Sequence, residues 1–175
     1  MPGKILVTYS TKYGSTEEVA ETIARILKEK YFTIDFMKVK EVSNLNGYDA
    51  IILGTPIYAG SFLSETRKFL TQFKESIEII PTVLFILGPL GNSPQEMRGV
   101  KAQLSTNLGK FPWFKPTVIK IFSGALDLKK LRFPDSLIKL YRSTPQNKMQ
   151  SSDARDWKEI QAWAGSLPDL FHMNL

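Results

Sequence analysis

The sequence predicts a single α/β domain, residues 1–175, built as a three-layer α/β/α sandwich around a five-stranded parallel sheet. Two observations carry that expectation. Short, largely apolar runs alternate with segments of helical periodicity, as a parallel sheet covered on both faces requires. The 175 residues are 43% hydrophobic and 11% aromatic, which suits one globular core, and they contain no internal repeat.

The elements follow in order. Strands are expected at Lys4–Tyr9, Thr33–Met37, Asp49–Gly54, Thr82–Leu87 and Thr117–Phe122. Between the first two, Val19, Ile23, Ile26 and Leu27 recur at helical spacing, with Glu17 and Glu18 at the front and Lys28 and Lys30 at the back, as the helix dipole favours. Ser64 is placed to cap a helix carrying Phe69, Leu70 and Phe73, and Pro94 fits the first turn of a helix ending near Gly109. Asp153 is placed to cap a last helix whose apolar stripe is Trp157, Ile160, Ala164 and Leu167. Strand, helix and strand in this alternation call for right-handed crossovers.

Composition excludes several chemistries. There is no cysteine and a single histidine, His172, so thiolate catalysis, Cys-ligated metal, iron–sulfur clusters and His-rich metal sites are ruled out. Redox chemistry would need a bound organic cofactor. The N-terminal apolar run is too short for a signal peptide or a membrane span, and together with the missing cysteines it predicts a cytoplasmic protein.

In open α/β sheets ligands bind beyond the carboxyl ends of the strands, which directs attention to three loops. The first, Ser10, Thr11, Lys12, Tyr13, Gly14, Ser15 and Thr16, runs from a strand into a helix N-terminus. Its hydroxyls, its glycine and the free N–H groups of a first turn suit one phosphate, though Ser15 or Thr16 acting only as a helix cap would explain the same residues. The ending of a nucleotide-triphosphate loop and the Gly-x-Gly-x-x-Gly turn are both absent. The second loop holds Pro56, Ile57, Tyr58, Ala59 and Gly60, a stiff frame presenting one aromatic plane to a flat ring. The third, Leu87, Gly88, Pro89, Leu90 and Gly91, offers backbone groups beside glycines. None contains an acid–base pair, so no catalytic side chain is assigned.

Tyr9 to Glu17 resembles the FMN phosphate loop of flavodoxins, with Ser10, Thr11, Ser15 and Thr16 on the family's hydroxyl positions and Lys12 and Tyr13 replacing a small pair. The resemblance implies a sheet of order 2-1-3-4-5, FMN as cofactor, and the second and third loops flanking the isoalloxazine. Gly54 to Gly60, Ser123 to Leu126, Ile138 to Leu140 and the Asp153, Arg155, Asp156, Trp157 run are similar to the flavodoxin-domain group that includes bacterial menaquinone-dependent protoporphyrinogen dehydrogenase.

Charge departs from the acidic habit of that family. The net charge is +6, yet residues 98–148 alone carry 11 Lys and Arg against 2 Asp and Glu. This segment interleaves cations with Phe111, Trp113, Phe114, Phe122, Phe133 and Tyr141. It would suit an acidic redox partner protein or a small anionic substrate such as a porphyrinogen, and a peripheral membrane surface would also attract it. Nucleic-acid binding has charge as its only support. Two functions stay open: an electron carrier working through non-covalent FMN, and an FMN-dependent oxidoreductase acting on an anionic organic substrate such as protoporphyrinogen IX with a quinone acceptor.

Overall fold

A computed structural model describes residues 3–91, 93–132, 135 and 151–171. Its elements are β1 (Lys4–Tyr9), α1 (Ser15–Glu29), β2 (Thr33–Lys38), β3 (Ala50–Tyr58), β4 (Ser61–Phe62), α2 (Ser64–Gln72), α3 (Lys74–Ile79), β5 (Thr82–Leu87), α4 (Pro94–Leu108), β6 (Val118–Phe122), β7 (Ala125–Leu126), β8 (Ser152–Asp153) and α5 (Trp157–Leu170).

The sheet is parallel in the order β2-β1-β3-β5-β6, which is the expected 2-1-3-4-5 once the short β4 is set aside. Alternation along β1 assigns the two faces. Ile5, Val7 and Tyr9 point into one core with Val19, Ile23 and Leu27 of α1 and Ile160, Ala164 and Leu167 of α5. Leu6 points into the other with Phe69 and Leu70 of α2, Ile77 of α3 and Val100 and Leu104 of α4. β5 is buried throughout, which is why its sequence is an unbroken apolar run. Burying a side chain such as Ile23 or Leu27 contributes about 1.5–3 kcal/mol.

Three local expectations are corrected. β3 runs on to Tyr58 instead of ending at Gly54, because Ile57 and Tyr58 pair antiparallel with Phe62 and Ser61. A two-residue turn, Ala59 at φ 48° and Gly60 at φ 79°, closes that hairpin. Ser64 lies inside the first turn of α2 behind Leu63, which caps nothing with its side chain. Asp156, and not Asp153, caps α5: its Oδ1 accepts from the N–H groups of Lys158 and Glu159 at 2.9 and 3.0 Å. Asp153 is held in β8 by an ion pair with Arg155 instead. α4 starts where Pro94 predicts, with Ser93 and Glu96 forming a capping box.

Trp113 and Phe114 lie in a loop, as their flanking prolines suggest. Phe122 is buried in one core, as expected for a residue of the last strand, and Phe111 and Phe114 are buried in the other core, which withdraws them from the proposed aromatic and cationic surface. Phe133, Tyr141, Lys139, Arg142, Lys148 and His172 lie outside the described residues.

Candidate functional site

The carboxyl ends of β1, β3 and β5 bring the three loops to one edge of the sheet. At the first, Gly14 precedes α1 at φ 93°, a left-handed conformation that glycine adopts without strain. Among the described residues no side chain caps α1, and neither Ser15 nor Thr16 acts as the helix cap. The first-turn N–H groups are left for another acceptor. Thr16 is fully buried and its Oγ1 has no hydrogen-bond partner among the described residues. A buried hydroxyl without a partner costs about 1–3 kcal/mol, so an acceptor at this helix start would relieve it.

The other hydroxyls of the loop are used differently. Ser10 Oγ turns inward and shares a buried triangle with Thr55 Oγ1 at 3.0 Å and Thr66 Oγ1 at 2.6 Å, closed by Thr66 donating to Thr55 at 2.9 Å. Thr11 Oγ1 accepts from the Gly14 N–H at 2.9 Å and so fixes the turn before α1. Thr66 went unnoticed in the sequence because a lone threonine on a helix carries no pattern.

Lys12 and Tyr13 form a clasp. Lys12 Nζ pairs with Asp135 at 2.6 Å and stands 3.6 Å from the centroid of the Tyr58 ring, while the Tyr13 hydroxyl donates to the same Asp135 carboxylate. Lys12, then Tyr13 and Tyr58, hold the Asp135 carboxyl down at about 2. Burial first, then the Asp135 carboxylate, pushes Tyr13 up to about 12, so the bridge persists across the neutral range.

Two cavities meet at this edge. The apolar one, about 230 Å³, is lined by Pro56, Ile57 and Tyr58 from β3, by Leu87, Gly88 and Leu90, and by Gly124 to Asp127 with Lys12, Tyr13 and Ser15. The polar one, about 330 Å³, shares Tyr13, Ser15 and Ala125 to Asp127 and adds Glu18, Lys130, Ser151 to Asp153 and Arg155. Together they suit a molecule with an apolar end and a polar end. Ser10, Thr11, Gly14, Thr16, Ala59, Gly60, Pro89 and Gly91 do not line either cavity. Gly60 and Ala59 form the hairpin turn, the Pro89 carbonyl accepts from Gly124 N–H at 2.7 Å, and Gly91 packs against the Glu96 carboxylate. At Gly124 a Cβ would stand 2.8 Å from the Gly88 carbonyl, so only glycine lets these two segments touch.

Gly124 to Asp127 and Arg155 line these cavities although none lies in the three loops; Gly124 to Leu126 and Arg155 carry a signal in the similarity motifs, and Asp127 carries none. Asn107 is a third omission. Fully buried on α4, it accepts from the Phe62 N–H at 3.0 Å and donates to the Gly60 carbonyl at 2.9 Å, tying the β3–β4 hairpin to the helix.

Beside the first loop lies a basic groove of about 490 Å³, lined by Lys12, Lys38, Lys129, Lys130 and Arg132 with Thr11 and Gly14. Among the described residues Glu17 is the one acid lining it, and it accepts from the Tyr9 hydroxyl at 2.5 Å and lies 3.9 Å from Lys38. Among the described residues no helix is long and apolar enough to cross a membrane.

The chain is similar to the Escherichia coli (strain K12) protoporphyrinogen IX dehydrogenase [quinone], 21% identical over 173 residues that cover 95% of this chain and 96% of that one. A Leishmania major protein of the same name is 22% identical over 95% of this chain and 75% of its own. Flavodoxin 1 from Bacillus cereus shares the fold at a TM-score of 0.58 and 15% identity, over 98% of this chain and 99% of that one. The flavodoxin domain family matches residues 6–150. With that match spanning most of the sheet and all three loops, the chain belongs to the flavodoxin domain family, whose members are redox proteins that carry FMN.

Proposed function

We propose that this protein transfers electrons through a non-covalently bound FMN whose phosphate is taken by the loop from Ser10 to Thr16 and whose ring lies in the apolar cavity. The observation that carries the reading is the buried, unpartnered Thr16 hydroxyl at an uncapped helix start. FMN supplies the capacity to hold and pass on electrons. The chain supplies the rest. Thr16 Oγ1, Ser15 and the first-turn N–H groups would hold the phosphate, with Ser10 and Thr11 acting from behind to fix the loop. Pro56, Ile57, Tyr58, Leu87, Gly88 and Leu90 would enclose the ring, and Gly124 to Leu126 would form its third wall. Ala59, Gly60, Pro89 and Gly91 hold those walls in place.

Lys129, Lys130 and Arg132 place the described part of the basic segment beside the phosphate loop, where they would draw an acidic redox partner or a small anionic substrate toward the cofactor. The similarity to protoporphyrinogen IX dehydrogenases favours a second reading, an FMN-dependent oxidoreductase with an anionic organic substrate and a quinone acceptor.

The test is purification with FMN, comparison of FMN and riboflavin affinities, then anaerobic reduction and mixing with a quinone, protoporphyrinogen IX or an acidic iron–sulfur protein. FMN preferred over riboflavin supports the phosphate loop; equal affinity overturns it. Rapid reaction with the protein alone supports the carrier; turnover of the organic substrate with quinone supports the enzyme.

A further inference from the structure

We infer that Arg155 is the positioning residue of the phosphate site: it cancels the carboxylate of Glu18 and pins the first turn of α1, so that an anion can be held where the helix carries an acid. The inference rests on the reading that the loop from Ser10 to Thr16 takes the FMN phosphate.

An acid in a first turn stabilises the helix but repels a phosphate bound at the same N-terminus. α1 carries two such acids, Glu17 and Glu18. Glu17 accepts from the Tyr9 hydroxyl. Glu18 lines the polar cavity, and the group that meets it is Arg155, whose Nη1 lies 2.7 Å from Glu18 Oε2; Lys130 stands farther off, 3.6 Å from Oε1.

The same guanidinium reaches the backbone. Arg155 Nη1 donates to the Ser15 carbonyl at 3.2 Å, in the turn that presents the free N–H groups. Its orientation is set on the other side: Nε and Nη2 grip both oxygens of Asp153 at 2.8 and 2.7 Å, and the guanidinium lies 4.6 Å from the Trp157 ring centroid. The side chain is only 7% exposed, so its fork is fixed by these partners rather than by solvent.

Asp153 also belongs to β8, paired with Ala125 of β7, which lines both cavities. Arg155 therefore holds the phosphate turn in register with a wall of the ring cavity. A lysine could keep the charge but could not span Asp153, Glu18 and the Ser15 carbonyl at once.

The experiment measures FMN and riboflavin affinity by flavin fluorescence quenching for the wild type, R155Q, R155K, E18Q and the E18Q/R155Q pair, with apoprotein folding followed by circular dichroism. R155Q is expected to weaken FMN by about tenfold and riboflavin by less than about twofold, since only FMN brings the charge that Glu18 repels. E18Q/R155Q is expected to recover the part of that loss owed to Glu18, while the Asp153 carboxylate that Arg155 also pairs stays without its partner. An equal loss of both ligands in R155Q, or no recovery in the pair, overturns the inference. If R155Q alone does not fold, the comparison passes to R155K, E18Q and the pair: an R155K protein with the full wild-type FMN-to-riboflavin preference also overturns it. T16V separates the two levels: a T16V protein that keeps its full preference for FMN refutes the phosphate loop itself, whatever Arg155 does.

Discussion

Lys12 Nζ stands 3.6 Å from the centroid of the Tyr58 ring, so a cation from the first loop covers one face of the aromatic ring carried by the second. The contact is steadied by Asp135, which pairs with Lys12 at 2.6 Å. A ring entering against that face must first move Lys12, and a cation–π contact of this kind is worth about 0.5–2 kcal/mol. Lys12→Ala should therefore raise the association rate of riboflavin by roughly two- to tenfold. Riboflavin is the proper probe because it lacks the phosphate that Lys12 would also attract, and stopped-flow fluorescence quenching reads the rate.

Thr16→Val should act in opposite directions on the empty and the loaded protein. It removes a buried hydroxyl without a partner, so the apoprotein should gain about 1 kcal/mol, a rise of roughly 2–4 °C in thermal midpoint. FMN should bind about tenfold or more weakly, the worth of one hydrogen bond to a charged acceptor. Calorimetry of the apoprotein and an FMN titration check the two signs together; weakened FMN with unchanged riboflavin identifies the phosphate as the group lost.

The sheet was legible because β1, β3 and β5 are buried on both faces, and such strands advertise themselves as unbroken apolar runs. The start of α1 was legible because Gly14 sits among hydroxyls just before a helix. What the pattern could not carry was direction. Ser10 and Thr16 are both hydroxyl residues of one loop, yet one turns into a buried triangle with Thr55 and Thr66 while the other is left without a partner. That difference depends on α2, more than fifty residues away. Arg155 and Asn107 escaped for the same reason: each acts across the fold, on Ser15 and on Gly60, and neither belongs to a local periodicity. The aromatic residues of the basic segment misled because Phe111 and Phe114 fill the core beneath α4.

Asn107→Ala should loosen the wall of the ring cavity. It strips a partner from the Phe62 N–H and from the Gly60 carbonyl inside the protein, at a cost of about 2–4 kcal/mol. Urea unfolding measures the loss. Hydrogen exchange locates it, since the Phe62 amide should become the fastest-exchanging group of the hairpin while amides of β1 keep their protection.

Charge reversal in the groove should affect encounter and leave cofactor binding alone. Lys129 and Arg132 are exposed beside the first loop, and K129E/R132E removes four charge units from that side. The rate of electron transfer to an acidic iron–sulfur protein should fall about tenfold or more at low salt and converge on the wild type as salt rises, because only long-range attraction has changed. Unchanged FMN affinity in the same variant shows that the loop itself is intact.

The clasp has a defined acid limit. Lys12, followed by Tyr13 and Tyr58, lowers the Asp135 carboxyl to about 2, below the value of about 4 expected in the unfolded chain. A depressed folded-state pKa means that the contribution is complete above pH 4 and is lost as pH falls toward 2. Asp135→Asn, which cannot titrate, should be less stable than the wild type above about pH 4, and the gap should close between about pH 4 and 2. Tyr13, raised to about 12, gives the mirror image: its contribution is present below about pH 10 and is lost as pH rises through 12. Urea midpoints of the wild type and D135N across the acid range test the first window, and those of the wild type and Tyr13→Phe across the alkaline range test the second. A gap that stays constant with pH would show that the Asp135 bridge does not form in solution.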